Sequence, residues 1–340
     1  MRKTLTKLAI AFSGIFATAF AQQDPQFTQF QHAKLAYNPA YAGTNGAICF
    51  DALYRQQWVS FPGAPKTGLF GFNMPILGTA GVGLNIISDQ LGFDKTMMVR
   101  GSFAFHRKWG ADGAGLFSVA LDAGVLQKQI SGTWVAPQTL NDPSIPNNPY
   151  NSTTLQGTNA PALNKLTPDF GFGLYYTIPN KMYVGVSTSH IAAQDLKGNS
   201  AQSSVSGANV IPGYALNFQM ARHYYIIGGY TFRLEGGEHN IMPNIKIKSD
   251  AASTQLDVNL TYMYKTMLWL GASYRLQDAI APSVGYMAPF GLKVGYSYDV
   301  TLSKIRGYSS GTHEIVLGYC FKPKKVSKIS SHTNVRFLED

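Results

Sequence analysis

Apolar and polar side chains alternate along many short segments of this chain. In residues 48–57 one face carries Ile48, Phe50, Ala52 and Tyr54, and the other carries Cys49, Asp51, Leu53, Arg55 and Gln57. The same alternation recurs in residues 244–248, 257–264 and 294–300. A period of two is typical of a strand whose two faces meet different surroundings. Segments of roughly 9 to 11 residues, separated by turn-forming residues, indicate a transmembrane β-barrel with lipid outside and water inside.

The composition favours the same fold. Charged residues make up 14% of the chain and aromatic residues 13%, whereas a soluble domain carries about 25% charge. A soluble β-sandwich also alternates, but its polar face would hold more charge. After Phe20 no hydrophobic run is long enough for a transmembrane helix. We therefore expect an all-β, antiparallel, up-and-down barrel in the outer membrane of a Gram-negative bacterium.

The strand count follows from a parity argument. The pattern offers fifteen candidate strands, but single-chain bacterial barrels close with an even number, which leaves both chain ends in the periplasm. The doubtful neighbours are residues 212–221 and 224–232. If residues 212–221 belong to a loop, the long stretches 130–167 and 191–223 both become extracellular, and the tight connections at residues 75–79, 178–180, 265–266 and 289–290 all become periplasmic. The sequence therefore predicts fourteen strands.

The two ends of the chain lie outside the predicted barrel. Residues 1–21 combine a basic start, an apolar run and Ala19-Phe20-Ala21, which is the form of a cleaved export signal. We expect four parts: a signal peptide (1–21), an N-terminal periplasmic segment (22–46), the barrel (47–321) and a C-terminal periplasmic tail (322–340). The tail carries five basic and two acidic residues, 5 − 2 = +3. It is predicted to be a solvated end or a basic surface for an acidic periplasmic partner.

The overall charge does not indicate nucleic acid as a partner. The formal charge is +10, and removing the three basic residues of the export signal leaves 10 − 3 = +7. This excess is dispersed, without a dense basic run interleaved with aromatic residues. Membrane lipid is the partner that the outward apolar faces predict.

The two cysteines fall on the first and last predicted strands. In a closed barrel these strands pair antiparallel, so Cys49 and Cys320 would both point inward near the periplasmic rim. A disulfide forms if the register brings their Cα atoms within about 7 Å. If the register does not, they are two separate small side chains, and the sequence leaves both alternatives open.

Motifs for catalysis or metal binding are lacking in the sequence. The seven histidines occur singly, and no Cys/His spacing predicts a metal site. We therefore predict no enzyme, no cofactor and no metal. An outer-membrane hydrolase using Ser187, Ser189, His190 and Asp195 is a weak alternative, because serine is common in barrel loops and closeness in sequence is little evidence for a triad. His313 and Glu314 are interpreted as polar residues at the mouth of the last strand.

Seven stretches, in order, resemble one family. They are QDPQFTQFQHAKLAYNPAYAGT, ALYRQQW, TPDFGFGLYYT, VGVSTSHI, LWLGASYRLQDAI, VGYSYDVTLSKI and GTHEIVLGYCF. Together they are similar to the PorP/SprF family of type IX secretion system outer-membrane proteins. The resemblance implies a non-enzymatic barrel needed for secretion or surface attachment of cargo such as gliding adhesins, with partners among the secretion components, including a periplasmic lipoprotein ring or cell-wall anchor. The long loops and the tail depart from it.

The N-terminal segment matches the family's N-terminal signature at Asn38, Pro39, Ala40, Tyr41, Ala42 and Gly43. Pro39 fixes φ and Gly43 permits a turn. Our hypothesis is that this stretch enters the periplasmic mouth of the barrel, where it either binds a periplasmic partner or only seals the opening. Cargo would meet the extracellular loops. The rival function is a solute-conducting porin or fatty-acid-type channel, since fourteen strands can leave a narrow lumen.

Overall fold

A closed antiparallel β-barrel dominates the structure. The computed structural model describes residues 24–76, 78–110, 113–130, 163–193, 195–197, 217–234 and 236–322. The strands within these ranges are β1 (Ile48–Gln56), β2 (Lys66–Ile76), β3 (Ala80–Leu91), β4 (Asp94–Trp109), β5 (Gly115–Ile130), β6 (Leu163–Ile178), β7 (Met182–Ser189), β8 (Asp195–Lys197), β9 (Asn217–Gln219), β10 (His223–Tyr230), β11 (Phe232–Arg233), β12 (His239–Ser249), β13 (Thr254–Tyr264), β14 (Leu268–Arg275), β15 (Ala279–Met287), β16 (Leu292–Thr301) and β17 (Thr312–Phe321).

Fourteen of these strands form the barrel wall in the part of the chain that the structure describes. Successive wall strands pair antiparallel, β10 pairs with both β7 and β12, and β1 pairs with β17 to close the sheet. The short β11 follows β10 after one residue and also pairs with β12. Residues 217–219 form β9, which pairs with β8 in a separate two-stranded sheet. The predicted count of fourteen, with residues 212–221 left out of the wall, is confirmed.

The connections differ in length at the two ends of the barrel. Three or four residues join β2 to β3, β6 to β7, β13 to β14 and β15 to β16. In the turn after β13, Lys265 and Thr266 have φ values of 51° and 56°, the left-handed backbone of a tight hairpin. The long connections 131–162 and 190–222 fall at the opposite end, together with short turns after β3, β12 and β14. Because outer-membrane barrels have short periplasmic turns, the end that carries the turns after β2, β6, β13 and β15, the start of β1 and the end of β17 is the periplasmic end.

The two faces of the wall have opposite character. Outward side chains such as Phe103, Leu121 and Leu166 are more than half exposed, whereas inward Asn85 and Asp122 are buried. This is the reverse of a soluble protein and matches a wall that lipid surrounds. The predicted alternation is confirmed in residues 48–57, 244–248, 257–264 and 294–300. Among the described residues, no helix has the length and apolarity needed to cross a bilayer.

A disulfide closes the seam between the first and last strands. Cys49 on β1 and Cys320 on β17 are direct partners in the register, with Cα atoms 4.2 Å apart, and their sulfur atoms are bonded. Of the two alternatives that the sequence left open, the structure therefore contains the disulfide. The bond joins residues 271 positions apart in the chain. The predicted signal peptide and all of the C-terminal tail after Lys322 lie outside the described residues.

Candidate functional site in the barrel lumen

Residues 24–46, here called the lumen segment, lie inside the barrel. They form three short helical turns, at Phe30–His32, Lys34–Tyr37 and Pro39–Tyr41. No turn exceeds four residues, because the segment lacks a helical repeat and is held by the wall around it. Phe27, Phe30 and Tyr37 are at most 4% exposed and form part of one hydrophobic core with inward side chains of the wall.

The lumen segment runs from the extracellular half of the barrel to its periplasmic end. Asp24 contacts His190 and His223, which flank the long connection between β7 and β10. At the other end, Gly43 packs against Gly81 and Pro75, beside the short turn after β2. The segment thus reaches much deeper than the periplasmic mouth at which the sequence analysis placed residues 22–46. Its position is inside the lumen, and only its last residues are open at the periplasmic end.

Inward ionisable side chains form a charge network in the lumen. Ion pairs join Arg55 to Asp299 (2.8 Å) and Glu314 (3.0 Å), Arg275 to Asp299 (3.2 Å) and Asp257 (3.4 Å), and Lys246 to Asp257 (2.7 Å). These three cations and three anions balance, and each is at most 5% exposed. Buried charges are tolerated when they are paired in this way, because an unpaired one would lose its hydration without compensation.

The lumen segment completes this network. The backbone N–H groups of Thr28 and Gln29 donate to the two oxygens of Glu314 at 2.8 and 2.7 Å. The Thr28 hydroxyl donates to Asp299 and accepts a hydrogen bond of 2.7 Å from Arg55. The segment therefore supplies donors that the carboxylates would otherwise take from water. Removing it would expose a polar lumen lined with charge.

The interpretation of Glu314 as a polar residue at the mouth of the last strand is wrong. The backbone of the lumen segment covers its carboxylate, and the side chain is fully buried. Its neighbour His313 faces the other side of the wall, where Nδ1 lies 2.7 Å from the Tyr296 hydroxyl. The sequence does contain an indication of the charge network. Arg55 and Asp299 are charged residues at inward positions of predicted strands. Inward charges of both signs indicate that some of them pair with each other across the lumen.

Within the stretch Asn38 to Gly43, Asn38 packs against the wall strands β6 and β7. The Asn38 side chain donates to the backbone oxygen of Leu174 at 2.9 Å and accepts from the N–H of Ala40 at 2.9 Å. Glycines make this slot: a Cβ on Gly173 would overlap Asn38 Oδ1, and one on Gly185 would lie 2.6 Å from Asn38 Nδ2. The signature residue and the two wall glycines are therefore fitted to each other.

The remaining residues of the stretch are similarly enclosed. Pro39, Ala40, Ala42 and Gly43 are buried, while Tyr41 is half-buried. The backbone oxygen of Ala42 accepts a hydrogen bond from His106 Nε2 at 2.9 Å. The barrel wall is thus the surface that these residues contact, and binding of a periplasmic partner by them stays a prediction.

Asp24 anchors the other end of the lumen segment. Its carboxylate lies 2.9 Å from His190 Nε2 and accepts a hydrogen bond of 3.3 Å from Ser189, and its backbone oxygen accepts one of 2.9 Å from Lys248. Burial would disfavour the charged forms, but the attraction between the groups outweighs it. The two histidines hold the pKa of Asp24 well below its usual range, and Asp24 with Asp169 raises the pKa of His190 to about 10.

The serine and histidine residues of the hydrolase alternative are not arranged as a triad. Both His190 nitrogens face carboxylates, with Nδ1 2.9 Å from Asp169 and Nε2 2.9 Å from Asp24. The Ser187 hydroxyl donates to the backbone oxygen of Tyr37, and Asp195 belongs to the separate short sheet. A nucleophilic serine needs a histidine nitrogen free to take its proton, so this arrangement does not support hydrolysis.

Comparison with known proteins identifies a family. The profile of a family described as type IX secretion system membrane protein PorP/SprF matches residues 19–319. No curated protein sequence matches the chain.

Solved outer-membrane barrels are similar in fold at low identity. One is a TodX monoaromatic hydrocarbon channel mutant (12% identity, TM-score 0.47, covering 92% of this chain and 98% of that one). Others are the CymD monoaromatic hydrocarbon channel (13%, 0.45, 88% and 94%) and Omp33 of Acinetobacter baumannii (9%, 0.43, 82% and 100%). The hydrocarbon named for two of them is a property of those proteins.

Proposed function

The chain belongs to the PorP/SprF family of type IX secretion system membrane proteins, and from this premise we propose how it works. It supports secretion or cell-surface attachment of cargo proteins such as gliding adhesins, as a non-enzymatic barrel of the outer membrane. Its outer surfaces, loops and periplasmic end carry this role, and its lumen does not serve as a solute path.

The observation that supports this proposal is the occupied lumen. The lumen segment contacts opposite walls, with Asp24 against β7 and β10 and Thr28 and Gln29 against β17. It is held there by hydrogen bonds from Thr28 and Gln29 to buried carboxylates of the wall rather than by weak surface contacts. A porin needs a wet, continuous path, and a segment bonded in this way obstructs one. The occupied lumen therefore favours the secretion role over the solute-conducting alternative.

Partner contacts are proposed for both ends of the barrel. At the periplasmic end the exposed residues Asn45 and Gly46 follow the buried signature stretch, and they are available to a lipoprotein ring or a cell-wall anchor. The extracellular loops face secreted cargo. This division follows from the sidedness of the barrel, since loops at the extracellular end alone can meet a protein outside the cell.

Two measurements test the proposal. Affinity capture of the chain from detergent-solubilised outer membranes, followed by mass spectrometry, should recover secretion components or a large adhesin. Capture of neither would contradict it. The purified barrel in a planar lipid bilayer should show no steady conductance. A stable open channel in the intact protein would support the porin alternative instead.

A further inference from the structure

Asp24, His190 and His223 bring three metal-ligating groups together at the extracellular half of the lumen. One ligand atom from each lies within 4.8 Å of the other two. Asp24 comes from the lumen segment, His190 directly follows β7, and His223 begins β10. Asp24 is 199 positions from His223 in the chain. Only the tertiary structure assembles this set, which is why the scattered histidines of the sequence gave no metal prediction.

Both imidazoles are oriented for coordination. His190 Nδ1 lies 2.9 Å from the Asp169 carboxylate, and His223 Nδ1 lies 3.1 Å from the backbone oxygen of Ala221. Because both of these partners accept hydrogen bonds, each Nδ1 carries the proton. His190 Nε2 lies 2.9 Å from the Asp24 carboxylate, and His223 Nε2 accepts a hydrogen bond of 3.2 Å from the Asp24 backbone N–H, which a bound metal would replace. An imidazole whose rear nitrogen is held by a carboxylate or a carbonyl is the usual arrangement at protein metal sites.

The cluster also has space beside it. A cavity of about 40 Å³ borders all three residues and is lined on its other side by Phe218 and Met220. This volume accommodates a water molecule, which would be the fourth ligand of a tetrahedral ion held by three protein groups.

We propose that Asp24, His190 and His223 bind a divalent transition-metal ion of the zinc class. Two imidazole nitrogens and one carboxylate oxygen suit Zn²⁺ and Co²⁺ and do not suit Mg²⁺ or Ca²⁺, which prefer oxygen ligands. Binding replaces the hydrogen between His190 Nε2 and Asp24 by the metal, and that proton is released to solvent. The ion fixes the start of the lumen segment to the wall, independently of the secretion role proposed above.

Neighbouring cations sharpen the expected selectivity. Lys248 donates to the backbone oxygen of Asp24, and Arg100 lies 4.0 Å from Asp169. These charges repel any cation, so affinity must come from direct coordination by nitrogen. Hard cations, whose binding depends mainly on negative charge, should therefore bind much more weakly than Zn²⁺.

The test uses the mature barrel with its native N-terminus and a C-terminal tag without histidine. The protein is treated with a chelator, desalted and titrated with Zn²⁺ by calorimetry and with Co²⁺ by visible absorption. We expect one equivalent per chain and the intense absorption bands of tetrahedral Co²⁺. Saturation with Mg²⁺ should not displace it. Binding of less than one equivalent, or a Co²⁺ spectrum identical to that of the free aqueous ion, would overturn the proposal without reference to any variant.

Variants then assign the ligands. His223→Gln and Asp24→Asn should abolish the tetrahedral spectrum, and Asp169→Asn should weaken Zn²⁺ binding by about 10- to 100-fold, the usual effect of removing a partner behind a ligand. The matched control is His313→Gln, because His313 is hydrogen-bonded to Tyr296 on the outer side of the wall. Unchanged binding in folded His223→Gln would exclude this site. If a variant fails to fold, X-ray absorption of the wild-type zinc complex still decides, since it must show two imidazole ligands.

Discussion

Arg55 and Glu314 lie directly opposite each other on the first and last strands, and their side chains form a 3.0 Å ion pair that solvent does not reach. The backbone of the lumen segment donates to the same carboxylate. This one pair of residues therefore lies at the seam that closes the barrel and also contacts the segment that fills its lumen.

Removing one charge of this pair should destabilise the barrel. Glu314→Gln leaves Arg55 with one carboxylate instead of two in a buried site, and breaking a buried pair costs about 3–5 kcal/mol. Denaturant unfolding in lipid vesicles measures the loss. The control is Glu238→Gln, whose solvent-exposed pair with Lys265 at 3.5 Å should contribute much less than the buried pair. Equal losses in the two variants would show that water screens the Arg55 pair.

Filling the slot for Asn38 should displace the lumen segment. In Gly173→Ala the new methyl group overlaps Asn38 Oδ1. The Asn38 side chain is displaced and loses its hydrogen bonds with the Ala40 N–H and the Leu174 backbone oxygen. We expect faster hydrogen exchange across residues 36–43 and measurable conductance in a planar bilayer. Gly68→Ala is the matched control, because a Cβ there would meet no atom within 4 Å. If Gly173→Ala changes neither hydrogen exchange nor conductance, the wall strand shifts to accommodate the methyl group and the lumen segment stays in place.

The disulfide should be formed in the exported protein and should stabilise the seam. Cys49 and Cys320 ought to resist thiol labelling in denaturant until a reductant is added. Cys320→Ser should lower stability by about 2–5 kcal/mol, because the bond constrains the unfolded chain between its two ends. Mass spectrometry of the labelled protein and denaturant titration provide the two readouts. Full labelling without a reductant would contradict the pairing.

Acidification should weaken the seating of the lumen segment through His32. Burial, with help from Lys293 and Lys34, lowers the pKa of His32 well below its ordinary value near 6.5. A base whose pKa is lower in the folded state contributes stability above its unfolded pKa and loses it as the pH falls below about 6.5. His32 packs against Trp269 with ring centres 5.0 Å apart, so charging it disturbs a buried aromatic contact.

The measurement compares the loss of Tm between pH 7 and pH 5 in the wild type with the same loss in a variant. The wild type should lose more Tm between pH 7 and pH 5 than His32→Phe, whose ring cannot be protonated. His313→Phe, on the outer side of the wall, should keep the wild-type loss. If His32→Phe and the wild type respond equally, His32 does not titrate against the folded state.

Local patterns alone determined the wall of this barrel. Successive side chains of a strand point to opposite faces, so alternation in residues 48–57 and 257–264 can be recognised from the order of the residues alone. The parity of the strands and the short turns after β2 and β13 then placed residues 212–221 outside the wall. These inferences needed neighbours in sequence and one rule of closure, so they could be made without coordinates.

The contents of the lumen were decided by the tertiary structure. Residues 24–46 have no repeat of their own, so nothing local indicates how deep they lie or which wall they contact. Asp24 meets His190, and Thr28 meets Glu314, across separations of 166 and 286 residues. Such contacts arise only when the closed wall brings inward side chains from distant strands around the same space, where each buried charge and each N–H must find a partner.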